Sequence, residues 1–364
     1  MSLPASFEIG GRPVGPGEPV YVIAEAGSNH NRDLEIATRL VEVAAEAGAD
    51  AVKFQTYSGS RIYSTKTPSF GTVAGTGKSP AELLEEISLP REWQAKLAEH
   101  ARERGIHFFS SPFDHEAVAE LEALEVPAMK IASPEIVDLP LIRRAAEAGR
   151  PLLISTGMSS LEDVSEALNA ATEGGAVAVA LLQCTTLYPA PPGLANLRAM
   201  ETLRAEFGVP VGFSDHTTGT AVAIAAAALG ATVIEKHFTL DRTMDGPDHS
   251  FAIEPREFTE MVAGVRAATE ALGDGAKTGP VPEEAENYRF ARRSLIATRD
   301  LPEGTELDRE MLTVKRPGFG IAPKHLEAVL GRPLTAAVEE DDVLTWELVE
   351  GPPPSDDQPD LRRS

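Results

Sequence analysis

The sequence is poor in cysteine, aromatic residues and base. It has one Cys, two Trp and 5% aromatics, with 33 Lys and Arg against 56 Asp and Glu, for a formal net charge of −23. Each scarcity excludes something. Cys184 alone can form no internal disulfide, which rules out a disulfide framework and suits a reducing cytoplasm. So little base gives no positive surface for a phosphate backbone, so no nucleic-acid partner is expected. No apolar run reaches about 18 residues, so no membrane span is expected. The opening MSLPASFEIGGR lacks the basic start and apolar stretch of a secretory signal, and the expectation is a cytoplasmic protein. Hydrophobic residues make up 42% of the chain, which suits an α/β core and excludes a largely disordered chain. The acidity also sets a condition: an anionic substrate would have to be held by a few local cations.

Short apolar runs alternate with helical patterns from about residue 20 to about 272. The runs are 20–27, 51–56, 106–112, 128–133, 151–157, 177–185, 209–216 and 232–238. Most are rich in Val, Ile, Leu or Phe, as strands covered on both faces must be. Between them lie amphipathic stretches such as 33–47, with Ile36, Leu40, Val41 and Ala44 on one face, Asp33 placed as N-cap and Gly48 just past the end. Eight strand–helix units in a row predict a (β/α)8 barrel rather than an open sheet. Residues 6–19, with Gly10 and Gly11 at a turn, predict a hairpin closing the barrel bottom. The barrel is expected to span 1–272 and a linker 273–293. Residues 294–350 predict a small β-rich domain built on runs at 294–298, 311–315 and 343–348, and the polar tail 351–364 reads as disordered.

In such a barrel the reactive groups gather where strands end. Here nearly every run ends in polar residues: Glu25, Lys53 with Gln55, Ser110 and Ser111, Lys130 with Ser133 and Glu135, Ser155 and Thr156, Thr185 with Tyr188, Ser214 with His216, and Glu235 with His237. A period of two puts Lys53 with Gln55, Ser214 with His216, and Glu235 with His237 on shared faces, and turns Lys236 toward the helices. Two imidazoles on neighbouring strands, with oxygen ligands, suit Mn, Co, Fe or Zn, and Mg if substrate supplies most oxygens. The competing structural reading makes the histidines hydrogen-bonded fillers and pairs Lys53 and Lys130 with Glu25 and Glu135. The stretch 71–79 imitates a phosphate loop, but its first glycine is displaced by one position and no strand precedes it, so it reads as a Gly-rich loop. Cys184 lies inside a strand with no base beside it and reads as a small buried residue.

The strings AEAGSNH (24–30), VKFQT (52–56), SSPF (110–113), KIASPE (130–135), STGM (155–158), CTTLYP (184–189), SDHT (214–217) and EKHFT (235–239) resemble, in order and spacing, the sialic acid synthase family. GPDH at 246–249 fits as well, and the segment holding VKRPG (314–318) resembles that family's antifreeze-like (SAF) domain. The resemblance covers about residues 6–350. It implies an enzyme that joins C3 of phosphoenolpyruvate to the aldehyde of an open-chain 2-acetamido sugar while water attacks C2 and phosphate leaves. It further implies a divalent metal, Mn first with Mg or Co open, on His216 and His237. Phosphoenolpyruvate would be bound by Lys53, Ser111, Lys130, Ser133, Thr186 and Ser214. Gln55, Glu135, Tyr188 and Arg316 would face the sugar, and Glu25 and Glu135 would accept hydroxyls or shuttle protons. Arg316 would reach the partner's site in a domain-swapped homodimer.

The chain departs from the family at Ala132-Ser133-Pro134, where Gly-Ser-Gly is frequent, and at Thr186, where some relatives carry Asn. The sugar is therefore left open between N-acetylmannosamine and a precursor of legionaminic, pseudaminic or coat-polysaccharide acids. Two rival readings are a Schiff-base aldolase using Lys53 or Lys130 and a non-catalytic carbohydrate-binding protein.

Overall fold

The computed structural model describes residues 3–69 and 77–355, so most of the Gly-rich stretch 71–79 and the tail from 356 lie outside the described residues. The chain divides into two units, Met1–Asp274 and Gly275–Ser364.

In the first unit β1 (Phe7–Ile9) and β2 (Arg12–Val14) pair antiparallel about the Gly10–Gly11 turn. Arg12 reaches Asp50 and donates to the carbonyl of Gly105, each just before a barrel strand (51–56 and 107–112), so the hairpin caps the end of the barrel where strands begin. Eight parallel strands follow: β3 (Tyr21–Glu25), β4 (Ala51–Thr56), β5 (His107–Pro112), β6 (Met129–Ile131), β7 (Leu152–Ser155), β8 (Val179–Cys184), β9 (Val211–Asp215) and β10 (Val233–His237). Their order is β5-β4-β3-β10-β9-β8-β7-β6, so the first barrel strand pairs with the last. β5 and β6, at the two ends of the ladder, lie side by side and nearly close the cylinder.

Every residue of β3, β7, β8, β9 and β10 is buried, which is what strands enclosed by an outer ring of helices require. Each fully buried Leu, Ile, Val or Phe contributes roughly 1.5–3 kcal/mol over its exposed state. The interior is filled, not open. A Cβ on Gly212 would run into the carbonyl oxygen of Val233 and stand 2.7 Å from the Leu182 side chain. The helix Leu34–Glu46 begins as expected, with the Asp33 carboxylate accepting from the amides of Glu35 and Ile36. Between β4 and β5, besides one turn of helix at Gly59–Ile62, stand two longer helices that the sequence reading did not include, Pro80–Ile87 and Gln94–Glu103. Ser79, part of the phosphate-loop imitation, is the N-cap of the first and forms a capping box with Glu82. Among the described residues no helix is long and apolar enough to cross a membrane.

In the second unit β11 (Ser294–Ala297) pairs antiparallel with β12 (Leu312–Lys315) over a core that includes Leu295, Leu301, Leu307, Ile321, Leu334 and Leu344. The expected strand at 343–348 is reduced to a single bridge at Val343 and a short 3-10 turn at Trp346–Leu348. The segment 273–293, expected to be a linker, carries a helix at Ala285–Ala291. This helix buries none of its residues, and Arg292 stacks over Tyr288 at 4.2 Å. It has no apolar stripe to read.

Candidate active site

Register brings the polar strand ends to one level. Glu25 on β3 is flanked by Lys53 on β4 and His237 on β10, and Glu235 pairs with Ser214 on β9. Side chains two residues apart share a face, so these groups all enter the barrel mouth. Asp215 and Lys236 face the other way and pair with each other at 2.8 Å, as the alternation required of Lys236.

The centre is a buried chain of alternating charge. The Lys53 ammonium lies 2.6 Å from Glu25, 3.7 Å from Glu235 and 3.2 Å from the Ser111 hydroxyl. Lys130 lies 3.7 Å from Glu235, which also accepts from the Ser214 hydroxyl at 2.9 Å. The Gln55 amide donates to Glu25 at 2.7 Å. Both lysines are only 2% exposed. Burial alone would lower the Lys53 pKa, but Glu235 and Glu25 outweigh it and hold that ammonium above its ordinary range. At Lys130 burial wins and the pKa is lowered, with Glu235 opposing. Burial raises Glu25, whereas at Glu235 the two lysines overcome burial and keep the carboxylate charged. Glu235, bridging both ammoniums, was not singled out as a site residue from sequence. Its signal was its place two residues before His237.

Beside Lys130 lies a cluster of donors. Ser133 accepts from the Gly157 amide at 3.0 Å, and a Cβ on Gly157 would run into the Thr186 hydroxyl and stand 2.8 Å from the Ser133 hydroxyl. The Thr186 hydroxyl oxygen is buried without a partner, as is that of Ser155. Unpaired buried hydroxyls are costly unless something polar comes to meet them.

His216 and His237 stand with ring centroids 5.4 Å apart. Nδ1 of His216 donates to the carbonyl of Thr185 at 2.8 Å, which leaves the Nε2 lone pair available. Nδ1 of His237 is buried without a partner. Burial lowers both pKa values, that of His216 to about 4, so both rings are neutral, as metal ligation demands. An ion bound about 2.1 Å from a ring nitrogen stands about 3.2 Å from that centroid, so one ion fits between two such rings. The residues therefore suit a divalent ion. Among the described residues no group of three or more His, Cys, Asp and Glu is arranged to hold one, so its other ligands would come from substrate or water. The Tyr188 ring covers this pair, 4.2 Å from His216 and 5.8 Å from His237.

A third carboxylate joins the site from the loop after β10. A Cβ on Gly27 would lie 2.9 Å from Asp248, 3.5 Å from Glu25 and 3.5 Å from the His237 ring, so all three converge on that glycine. Burial raises the Asp248 carboxyl. Asp248 was visible in sequence only within the GPDH string. Glu135 lies in the 3-10 turn Ser133–Val137, with one oxygen buried and unpartnered. The structural pairing of Lys53 with Glu25 is present, while Lys130 approaches Glu235. Arg316 is exposed in the second unit, directly after β12.

Burial pushes Glu135 up to about 7. Its folded pKa exceeds the unfolded value, so ionising it costs stability only as pH rises through about 4.5 to 7. Glu135→Gln should therefore be more stable than the parent by roughly 1–2 kcal/mol at pH 8 and close to it at pH 4.5. Thermal unfolding at both values checks this, and a difference independent of pH would contradict it.

Comparison with known proteins gives the same outline. The NeuB family model matches residues 40–277, and a SAF domain matches 292–350. The N,N'-diacetyllegionaminic acid synthase of Campylobacter jejuni is 40% identical, covering 89% of this chain and 98% of its own. The human N-acetylneuraminate-9-phosphate synthase is 36% identical, covering 96% and 98%. The crystal structure of an N-acetylneuraminic acid (sialic acid) synthetase from Leptospira borgpetersenii superposes with a TM-score of 0.70 at 32% identity, covering 79% of this chain and 96% of that one.

Proposed function

We propose a function from one premise: the chain belongs to the NeuB family, a family of sialic and other nonulosonic acid synthases. The reading is a phosphoenolpyruvate-dependent synthase. C3 of phosphoenolpyruvate bonds to the aldehyde carbon of an open-chain 2-acetamido sugar, water adds at C2, and inorganic phosphate leaves by C–O cleavage. The observation that carries it is the convergence at one rim of two buried ammoniums, two neutral imidazoles and unpartnered hydroxyls.

Lys53 and Lys130, with Ser111 and Ser214, would hold the carboxylate end of phosphoenolpyruvate. Ser133, held in place by the Gly157 amide, and Thr186 would donate to its phosphate, beside the two ammoniums that supply the local positive field the acidic chain otherwise lacks. Glu25 is raised by burial yet hydrogen-bonded to Lys53 and Gln55, so it is poised to take or return a proton near the reacting carbons. A divalent ion on His216 and His237, Mn first with Mg or Co open, would polarise the aldehyde oxygen. Glu135, Gln55 and Asp248 would accept from sugar hydroxyls, and Tyr188 would stack on the chain. Arg316 would complete the sugar site of a second copy in a homodimer.

The physiological sugar is an N-acetylmannosamine-type or diacetamido-trideoxy aldehyde. Incubating the enzyme with phosphoenolpyruvate and each sugar, and weighing the products by mass spectrometry, identifies it. No condensation product with any of them would refute the reading. Gly157→Ala thrusts a methyl group into the Ser133–Thr186 cluster. It should raise KM for phosphoenolpyruvate at least about tenfold while leaving KM for the sugar within about twofold. Parallel changes in both constants would remove the phosphate from that cluster.

A further inference from the structure

His249 belongs to none of the groups above, although it is fully buried. Its two ring nitrogens have different partners on different loops. Nδ1 lies 2.6 Å from the Thr239 hydroxyl, directly beyond β10, and Nε2 lies 3.0 Å from the side-chain oxygen of Asn31, in the loop after β3. Burial lowers its pKa, so the ring is neutral with one donor and one acceptor. The Asn31 oxygen can only accept, which makes Nε2 the donor and leaves Nδ1 to accept from Thr239. Both bonds are then satisfied by one tautomer.

The surroundings are built to fit this ring. Gly246 has φ +147°, and a Cβ there would stand 2.7 Å from the His249 ring and 3.1 Å from the Asn31 oxygen. The backbone can lie against the His–Asn pair only with glycine at that position. The residue directly before His249 is Asp248, whose carboxylate accepts from the Ser28 amide at 3.4 Å and lies against Gly27, the glycine that Glu25 and His237 also approach. The Ser28 amide is a long, weak tether for a carboxylate. The Asn29 side-chain amide also joins the two segments, donating to the Phe238 carbonyl at 2.8 Å, but right after β10 and ten positions from Asp248.

We infer that His249 is a positioning residue: it clasps the loop after β3 to the loop after β10 through Asn31 and Thr239, and so holds the Asp248 carboxylate over Gly27 for the sugar. This rests on the function proposed above, in which Asp248 accepts from a sugar hydroxyl. The clasp contacts no reacting atom, so its loss should weaken sugar binding more than phosphoenolpyruvate binding or the chemical step.

Asn31 is exposed, so Asn31→Gly unfastens the clasp without opening a cavity, whereas His249→Ala empties a buried space. Steady-state kinetics on the full chain should show Asn31→Gly raising KM for the sugar about tenfold, with KM for phosphoenolpyruvate within about twofold. His249→Ala should raise it further, and adding Asn31→Gly to it should change nothing more. His249→Gln, which keeps a donor near the Nε2 position, should restore most of the loss. Amide hydrogen exchange over residues 241–250 should quicken in Asn31→Gly. Unchanged exchange and unchanged sugar KM in Asn31→Gly, or additive effects in the double variant, would overturn the clasp. If the parent protein shows no sugar-dependent turnover, the functional reading fails, and the exchange result alone decides whether the clasp exists.

Discussion

Lys53→Met should lose activity by at least about 10³-fold and also become markedly less stable above neutral pH. Among the described residues Lys53 is the only cation within ion-pair distance of Glu25 and one of two beside Glu235, all within a few ångströms and all buried. Removing it strands a carboxylate away from water, which costs about 3–5 kcal/mol when the charge cannot escape. The charge can escape by protonation, which gives the loss a pH signature. Glu25 is already raised by burial with Lys53 opposing, and without Lys53 it must rise further. A carboxyl whose folded pKa exceeds its unfolded one destabilises nothing below the unfolded value, and the penalty grows as pH climbs above it. Denaturation at pH 5 and pH 8 should therefore show a small deficit at the first and a large one at the second. Glu25→Gln placed in the same chain should recover much of the stability at pH 8 and none of the activity. A deficit equal at both pH values would mean that Lys53 serves packing alone.

His216→Ala and His237→Ala should each lower kcat/KM by at least about 10³-fold, and a chelator should take the parent protein to the same floor. The ring positions argue for a joint role. Each is neutral, one keeps its Nδ1 on a carbonyl so that Nε2 is available, and the other carries a buried nitrogen with no partner. Metal analysis of the dialysed protein should find about one divalent ion per parent chain after Mn loading and far less in either variant, a result that does not depend on turnover. Added Mn should revive the chelated parent but not the variants. Full activity in excess chelator would exclude the ion and return both histidines to a structural role.

Much of this was legible before the fold was known, for physical reasons. Buried parallel strands must be apolar throughout and end abruptly, so runs such as 51–56 and 232–238 coincide within a residue or so with β4 and β10. The two-residue period sorted Glu235 and His237 from Lys236, and Lys236 indeed turns outward to Asp215. What escaped depended on contacts distant in sequence. Glu235 declares its part only when β4 and β6 bring Lys53 and Lys130 to it. Asp248 and His249 sit in a loop without periodicity, and nothing local ties them to Gly27 or Asn31, more than 200 positions earlier. The helix at Ala285–Ala291 buries none of its residues, so no apolar stripe marked it. Ser79 offered a readable signal, a serine three residues before Glu82, but it ends a stretch whose glycines read as a loop.

The most direct test is a paired assay of inorganic phosphate released from phosphoenolpyruvate by the Mn-loaded parent protein, with and without the amino sugar, alongside quantification of the sugar acid. Phosphate should appear only when the sugar is present, with one acid formed for each phosphate. Phosphate released equally fast without sugar, or without any acid formed, would contradict a carbon–carbon bond-forming site at this rim.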